Sequence, residues 1–217
     1  MAIWRVVWLF ICILSIAVAA PVIFSGSLRS NYAYVLNSQI AAIWPPRFAF
    51  LGDSLTLNCN WRWELGSLSL INVAMGGVGI REVAHQLNQV VPLKPGFISI
   101  EGGINDIVLE SSPVERIAYD FEYLLRQLPP KQPAIVTLIP FVSNHSFSGT
   151  IQQANSTIRS HAERRGLQII DLNPLISDQG VRKSQMMTTD GVHFNHDACL
   201  AWVDEIRKKI ASSSIAM

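Results

Sequence analysis

The stretch Phe48-Ala49-Phe50-Leu51-Gly52-Asp53-Ser54-Leu55 joins an unbroken apolar run to a polar turn that carries a serine. Consecutive apolar residues without alternation read as a strand covered on both faces, the pattern of a parallel sheet. Gly52 ends the run, and Asp53-Ser54 falls where a helix would begin. In an open sheet of parallel strands the ligand crevice lies beyond the carboxyl ends of the strands. Ser54 is therefore expected at the rim where chemistry is done, and the residues that follow each later strand become informative.

Further apolar runs occur at Leu68 to Val73, Phe97 to Ile100, Ala134 to Ile139 and Leu167 to Ile170. Helical segments separate them. Ser112 is expected to cap one helix, with Pro113 in its first turn and Glu115 completing a capping box; it runs through Ile117, Phe121 and Leu124 to Leu128. A second is expected from Thr150 to Arg165 with Gly166 ending it, and a last from His196 to Ile210 behind Asn195. This alternation predicts an α/β fold, a flavodoxin-like three-layer sandwich around a central parallel five-stranded sheet.

Polar clusters follow these strands: Gly52-Asp53-Ser54-Leu55, then Asn72 to Gly77, then Gly102-Gly103-Ile104-Asn105-Asp106, and finally Asp190-Gly191-Val192-His193. Their chemistry is complementary. A serine hydroxyl becomes a useful nucleophile when a base removes its proton during attack. A neutral imidazole such as His193 titrates near working pH, and Asp190 can fix its tautomer and stabilise its cation. The oxyanion formed on an ester carbonyl needs fixed donors, for which the backbone N–H groups of Ser54 and Gly77 and the amide of Asn105 are candidates. Gly77 is chosen by its spacing from Asn72, with Gly76 as the alternative. His196 lies outside the D-x-x-H spacing, and His85, His145 and His161 are read as surface or loop residues.

These clusters resemble the four sequence blocks of the SGNH, or GDSL, hydrolase family, over about Phe48 to Ile210. The resemblance implies that Ser54 is the nucleophile, that Gly77 and Asn105 complete the oxyanion hole, and that Asp190 and His193 complete the triad. It also implies a flavodoxin-like fold, no metal or organic cofactor, and hydrolysis of esters or thioesters through an acyl-enzyme. Cys59, Trp61 and Trp63 stand where many relatives carry small residues. The two tryptophans are read as sugar or acyl contacts, or as core packing for at least one of them.

Composition sets the outer bounds. The chain has 217 residues, 49% hydrophobic and 15% charged, with a net charge of +1. That suits one domain with a sizeable core and excludes disorder, and without a basic run nucleic acid is not an expected partner. Residues 6–24, VVWLFICILSIAVAAPVIF, carry no charge and are long enough to span a bilayer. A transmembrane anchor is expected, with a signal peptide cleaved near Ala17-Val18-Ala19 as the alternative. Residues 25–46 read as a connector, with a short helix over Tyr32 to Ile43, and residues 47–217 as the catalytic domain. Either N-terminal option puts that domain outside the cytoplasm, periplasmic or extracellular.

The cysteines show no metal-ligand spacing. Cys59 and Cys199 are expected as two unpaired buried side chains, although export would permit their oxidation. Asn144-His145-Ser146 and Asn155-Ser156-Thr157 match glycosylation sequons. The expected partner is a small-molecule, glycan or lipid ester, with membrane contact through residues 6–24. The function expected is ester hydrolysis, with two alternatives on the same scaffold: an O-acyltransferase acting on a cell-envelope glycan, and a non-catalytic glycan-binding module.

Overall fold

A computed structural model describes residues 46–66 and 69–212. The proposed anchor, the connector helix and the start of the second apolar run lie outside the described residues. Among the described residues, no helix is long and apolar enough to cross a membrane.

Five strands form one parallel sheet: β1 (Phe48–Leu51), β2 (Leu70–Asn72), β3 (Phe97–Ile100), β4 (Ala134–Thr137) and β5 (Gln168–Ile170), in the order β2-β1-β3-β4-β5. Every residue of β1, β3 and β4 is buried, as their near-continuous apolar sequences require, Ser99 and Thr137 being the buried polar residues among them. The chain reverses its direction of travel across the sheet between β1 and β3. Their carboxyl ends therefore frame the crevice where such sheets bind ligands.

The helices are α1 (Ser54–Asn58), α2 (Trp61–Glu64), α3 (Ile80–Val90), α4 (Ile104–Val108), α5 (Val114–Gln127), α6 (Ser148–Arg164), α7 (Asn173–Ile176) and α8 (His196–Ser212). α3, α5 and α6 pack side by side, while α8 meets α2 and β5. Helix α3 was not foreseen, although Ile80, Val83, Ala84, Leu87 and Val90 form an ordinary apolar stripe. Its first turn is held by carboxylates: Glu82 accepts from the Gly79 N–H at 3.2 Å, and Asp106 accepts from the Ile80 N–H at 3.0 Å.

Aromatic packing fixes the layer beneath the first loop. Trp61 stacks on Phe50 at 4.4 Å between ring centroids and meets Trp202 edge-on at 4.8 Å. Both buried indole N–H groups are satisfied, by Thr56 O at 2.6 Å and Thr137 Oγ1 at 3.0 Å. Each such ring pair adds about 0.5–1.5 kcal/mol beyond the area it buries.

Several expectations need correction. The capping box at Ser112 and Glu115 does not form: Pro113 itself is the N-cap, in extended backbone, and no side chain caps α5. Ser111 takes φ +52, and the Ser112 N–H turns back to Asp106 O at 2.7 Å, so Ser112 is spent on closing a turn. The fourth strand ends at Thr137 rather than Ile139. Beyond it the carboxamide of Asn155 clamps Ile139, accepting from its N–H at 2.8 Å and donating to its carbonyl at 2.7 Å. Asn155 is thus a buried structural residue, and its sequon is a coincidence of composition. Helix α6 begins at Ser148, and a small hairpin, β6 (Ser177–Asp178) and β7 (Val181–Arg182), was not anticipated. The cap on α8 is as expected, Asn195 Oδ1 accepting from the Ala198 N–H at 3.1 Å.

The largest correction concerns the cysteines. Cys59 and Cys199 form a disulfide across 140 residues, with Cα atoms 5.5 Å apart. Both are buried small side chains, as expected, but they meet because α1 ends against the first turns of α8.

Candidate active site

Asp53 is the N-cap of α1, its Oδ1 accepting from the Leu55 N–H at 2.8 Å. Ser54 is the first helical residue, so its own backbone N–H stays outside the helical ladder. The Ser54 hydroxyl lies 2.8 Å from His193 Nε2, and His193 Nδ1 lies 2.7 Å from Asp190 Oδ2. The fold thereby joins into one hydrogen-bonded line three residues taken from opposite ends of the domain.

The Asp190 loop is built to hold that line. Asp190 Oδ1 accepts from the N–H groups of Val192 at 2.8 Å and His193 at 2.9 Å, and from the Thr188 hydroxyl at 2.9 Å. The His193 N–H above all, with that of Val192, holds the Asp190 carboxyl far below the usual carboxylate range. Gly191 takes φ +75, and a Cβ there would run into Ser143 Oγ. Its carbonyl accepts from the Ser143 N–H at 2.9 Å, and the buried Arg182 donates Nη1–H to Val192 O. A carboxylate with so low a pKa favours the fold above the ordinary carboxylate range, and that contribution fades only as pH falls through the native value.

Asn105 sits in the first turn of α4 and is 6% exposed. The turn before it uses Gly102 at φ +154 and Gly103 at φ +114, conformations that a side chain would strain. Asn105 donates one amide N–H to Val78 O at 2.8 Å, which ties it to the loop of Gly76 and Gly77. Its second amide N–H has no protein partner among the described residues. Gly77 has φ +76, while a Cβ at Gly76 would stand 3.9 Å from that of Ser54. Gly76 therefore faces the serine, and Gly77 follows it in the same loop.

The remaining singled-out residues fall elsewhere. His85, His145 and His196 are exposed, and His161 is half-buried on α6. Trp61 is core, whereas Trp63 is 80% exposed. A cavity of about 500 Å³ lies between α6, α7 and the hairpin, lined by Phe141, Gln152, Arg159, Asp171 and Gln179 among others, and none of the serine line reaches it. Among the described residues, no group of three His, Cys, Asp or Glu side chains is placed to hold a metal ion. Sequence reading passed over Thr188, Arg182 and Glu101. Glu101 had a signal: a charged residue that directly extends the apolar run of β3.

Residues 50–198 match the model of the GDSL-like lipase/acylhydrolase family. The chain belongs to that family, which places it among the ester-cleaving hydrolases. No match is found among curated proteins. Among solved structures, a lipase/acylhydrolase from Enterococcus faecalis is similar at 18% identity and TM-score 0.65, covering 75% of this chain and 94% of that one. A GDSL-like lipase from Bacteroides thetaiotaomicron is similar at 18% identity and TM-score 0.64, covering 82% and 97%. A carbohydrate esterase of family 3 from Talaromyces cellulolyticus is similar at 18% identity and TM-score 0.60, covering 77% and 99%. At such identities the likeness is one of fold.

Proposed function

We propose that the protein is a serine ester hydrolase that cleaves small acyl or acetyl esters through an acyl-enzyme. Ser54 is the nucleophile, His193 the general base, and Asp190 the group that orients and stabilises the imidazole. The observation that carries this reading is the unbroken hydrogen-bonded line from Ser54 through His193 to Asp190, between groups 139 residues apart at its longer step. Chance rarely aligns a hydroxyl, an imidazole and a carboxylate at 2.8 and 2.7 Å beside a ligand crevice.

In the first half-reaction Ser54 Oγ bonds to the ester carbonyl carbon while its proton passes to His193 Nε2. The carbonyl π electrons move to oxygen, which the backbone N–H groups of Ser54 and Gly77 and the second amide N–H of Asn105 are taken to receive. The C–O bond to the alcohol then breaks, and the alcohol departs with the proton from His193. Water repeats the sequence on the acyl-enzyme, releasing the acid and restoring Ser54. Asp190, held as an anion by its backbone donors, accepts from Nδ1–H throughout. Asn105→Ala is expected to lower kcat by roughly 10²–10³-fold with KM little changed, because the lost bond is made only to the developing oxyanion. A change confined to KM would remove Asn105 from the oxyanion hole.

The carbohydrate esterase among the similar structures makes short acyl esters of sugars a sensible first substrate panel. The disulfide supports work in an oxidising compartment. Together with the apolar run at residues 6–24, it favours a catalytic domain outside the cytoplasm, anchored to a membrane or released from it. The test is hydrolysis of p-nitrophenyl acetate and butyrate by the purified full chain, with fluorophosphonate labelling of Ser54. No turnover together with no labelling would sink the catalytic reading. Product analysis with an added glycan acceptor separates transfer from hydrolysis.

A further inference from the structure

Next to the serine lies a pair of buried acids that the mechanism does not use. Asp53 and Glu101 are 0% and 2% exposed, at the ends of the adjacent strands β1 and β3. Asp53 Oδ1 is engaged by the Leu55 N–H and Glu101 Oε2 by the Thr56 hydroxyl at 2.8 Å. That leaves one oxygen on each, Asp53 Oδ2 and Glu101 Oε1, without a donor among the described residues. The two carboxyl groups nevertheless sit at neighbouring strand ends, Glu101 Oε2 lying 2.8 Å from where a Cβ on Gly52, the residue before Asp53, would stand. Two buried acceptors can satisfy each other only when one of them carries a proton.

We propose that Glu101 is a neutral carboxylic acid whose O–H donates to Asp53 Oδ2, and that it is a positioning residue for Ser54. The argument runs through Asp53. Its carboxylate caps the helix that Ser54 begins, and it stands one residue from the nucleophile. A Glu101 hydroxyl on Oδ2 fixes the side chain from the far side, so both oxygens are held and the cap cannot swing. The surroundings fit a site built around the pair. Gln86 grips both the N–H and the carbonyl of Gly52, at 2.8 and 2.9 Å. A Cβ at Gly52 would run into Thr56 Oγ1 and come within 2.8 Å of Glu101 Oε2. Glycine is thus required for the close approach of the chain to the acid.

Burial, and then the charge of Asp53, push Glu101 well above the ordinary carboxylate range. Burial also pushes Asp53 up to about 6, against the pull of the Leu55 N–H, so Glu101 is the partner that keeps the proton. The charged groups felt by the pair are His193, Asp106 and the buried Arg182, which in turn feels Asp190. A group whose native pKa is raised stabilises the fold below its unfolded value and loses that contribution as pH rises towards the native one. The pair therefore weakens the fold as pH climbs from the ordinary carboxylate range towards the native value of Glu101.

The test compares Glu101→Gln with Glu101→Leu in the full chain. A Gln amide can donate to Asp53 Oδ2 and accept from Thr56, while carrying no titrating proton. Glu101→Gln is expected to keep kcat within about threefold at neutral pH, and Glu101→Leu to lower it roughly tenfold or more with KM little changed. In Glu101→Gln the decline of kcat and of melting temperature as pH rises above the ordinary carboxylate range should be shallower than in the wild type. The kinetic arm rests on the esterase reading. The melting arm does not, and repeating it in a Ser54→Ala background separates failure of the one from failure of the other. If Glu101→Leu does not fold, wild type and Glu101→Gln still decide the matter by melting across pH. A slope of melting temperature against pH that is unchanged in Glu101→Gln, or a loss of kcat as large as that of Glu101→Leu, overturns the proposal.

Discussion

Ser54→Ala and His193→Ala are each expected to lower kcat by at least roughly 10⁴-fold, and the double mutant to be scarcely worse than either. The reason is geometric. With Nε2 at 2.8 Å from Oγ, the imidazole contributes by taking the hydroxyl proton, and without that hydroxyl there is nothing for it to take. Removing either partner therefore removes the same step, and what survives is binding plus oxyanion stabilisation. Asp190→Asn should cost about 10⁴-fold by a different route, since an amide can donate to Nδ1 and hold the imidazole in the wrong tautomer. The measurement is kcat and KM on p-nitrophenyl esters for all four variants. Multiplicative losses at Ser54 and His193 would show that the two do not work as one unit, and fluorophosphonate labelling of Ser54→Ala would move the nucleophile elsewhere.

How much of this was legible follows from what each residue depends on. The strands were readable because a parallel strand buried on both faces is apolar almost throughout, and β1, β3 and β4 are, with Ser99 and Thr137 their polar residues. The serine, the asparagine and the Asp-x-x-His pair were readable because their chemistry restricts both residue type and order, and the fold delivers them to one rim. What was lost depended on partners far away in sequence. Asn155 looked like a sequon, since nothing local reveals that Ile139 needs both ends of its amide. Glu101 looked like a strand-end charge until Asp53 lay opposite it. Arg182 sits in a two-residue strand that no periodicity announces, yet its guanidinium supports the carbonyl next to His193. The Ser112 cap failed for the opposite reason: the local signal was sound, but Asp106 competed for the same backbone N–H.

Breaking the Cys59–Cys199 disulfide, by reductant or by replacing both residues with alanine, is expected to cost about 2–5 kcal/mol of stability. The upper part of that range is favoured because the bond closes a loop of 140 residues, and the entropy denied to the unfolded chain grows with loop length. For a domain of this size the loss corresponds to a melting temperature lower by about 5–15 °C. Its position ties stability to function. Cys59 lies just past the helix that Ser54 begins, and Cys199 lies in the helix that follows His193, so the bond staples together the two segments that must meet at 2.8 Å. Both cysteines are buried, so alanine at each leaves a small void and little else. Well below its melting temperature, the double alanine variant should therefore keep its kcat within a few-fold, then lose activity at temperatures the parent tolerates. Calorimetry with and without reductant reads the first effect, and activity against temperature reads the second. Identical melting curves for the oxidised and reduced chains would remove the bond from the stability of the domain. A large loss of kcat at low temperature would instead show that packing alone does not bring His193 to Ser54.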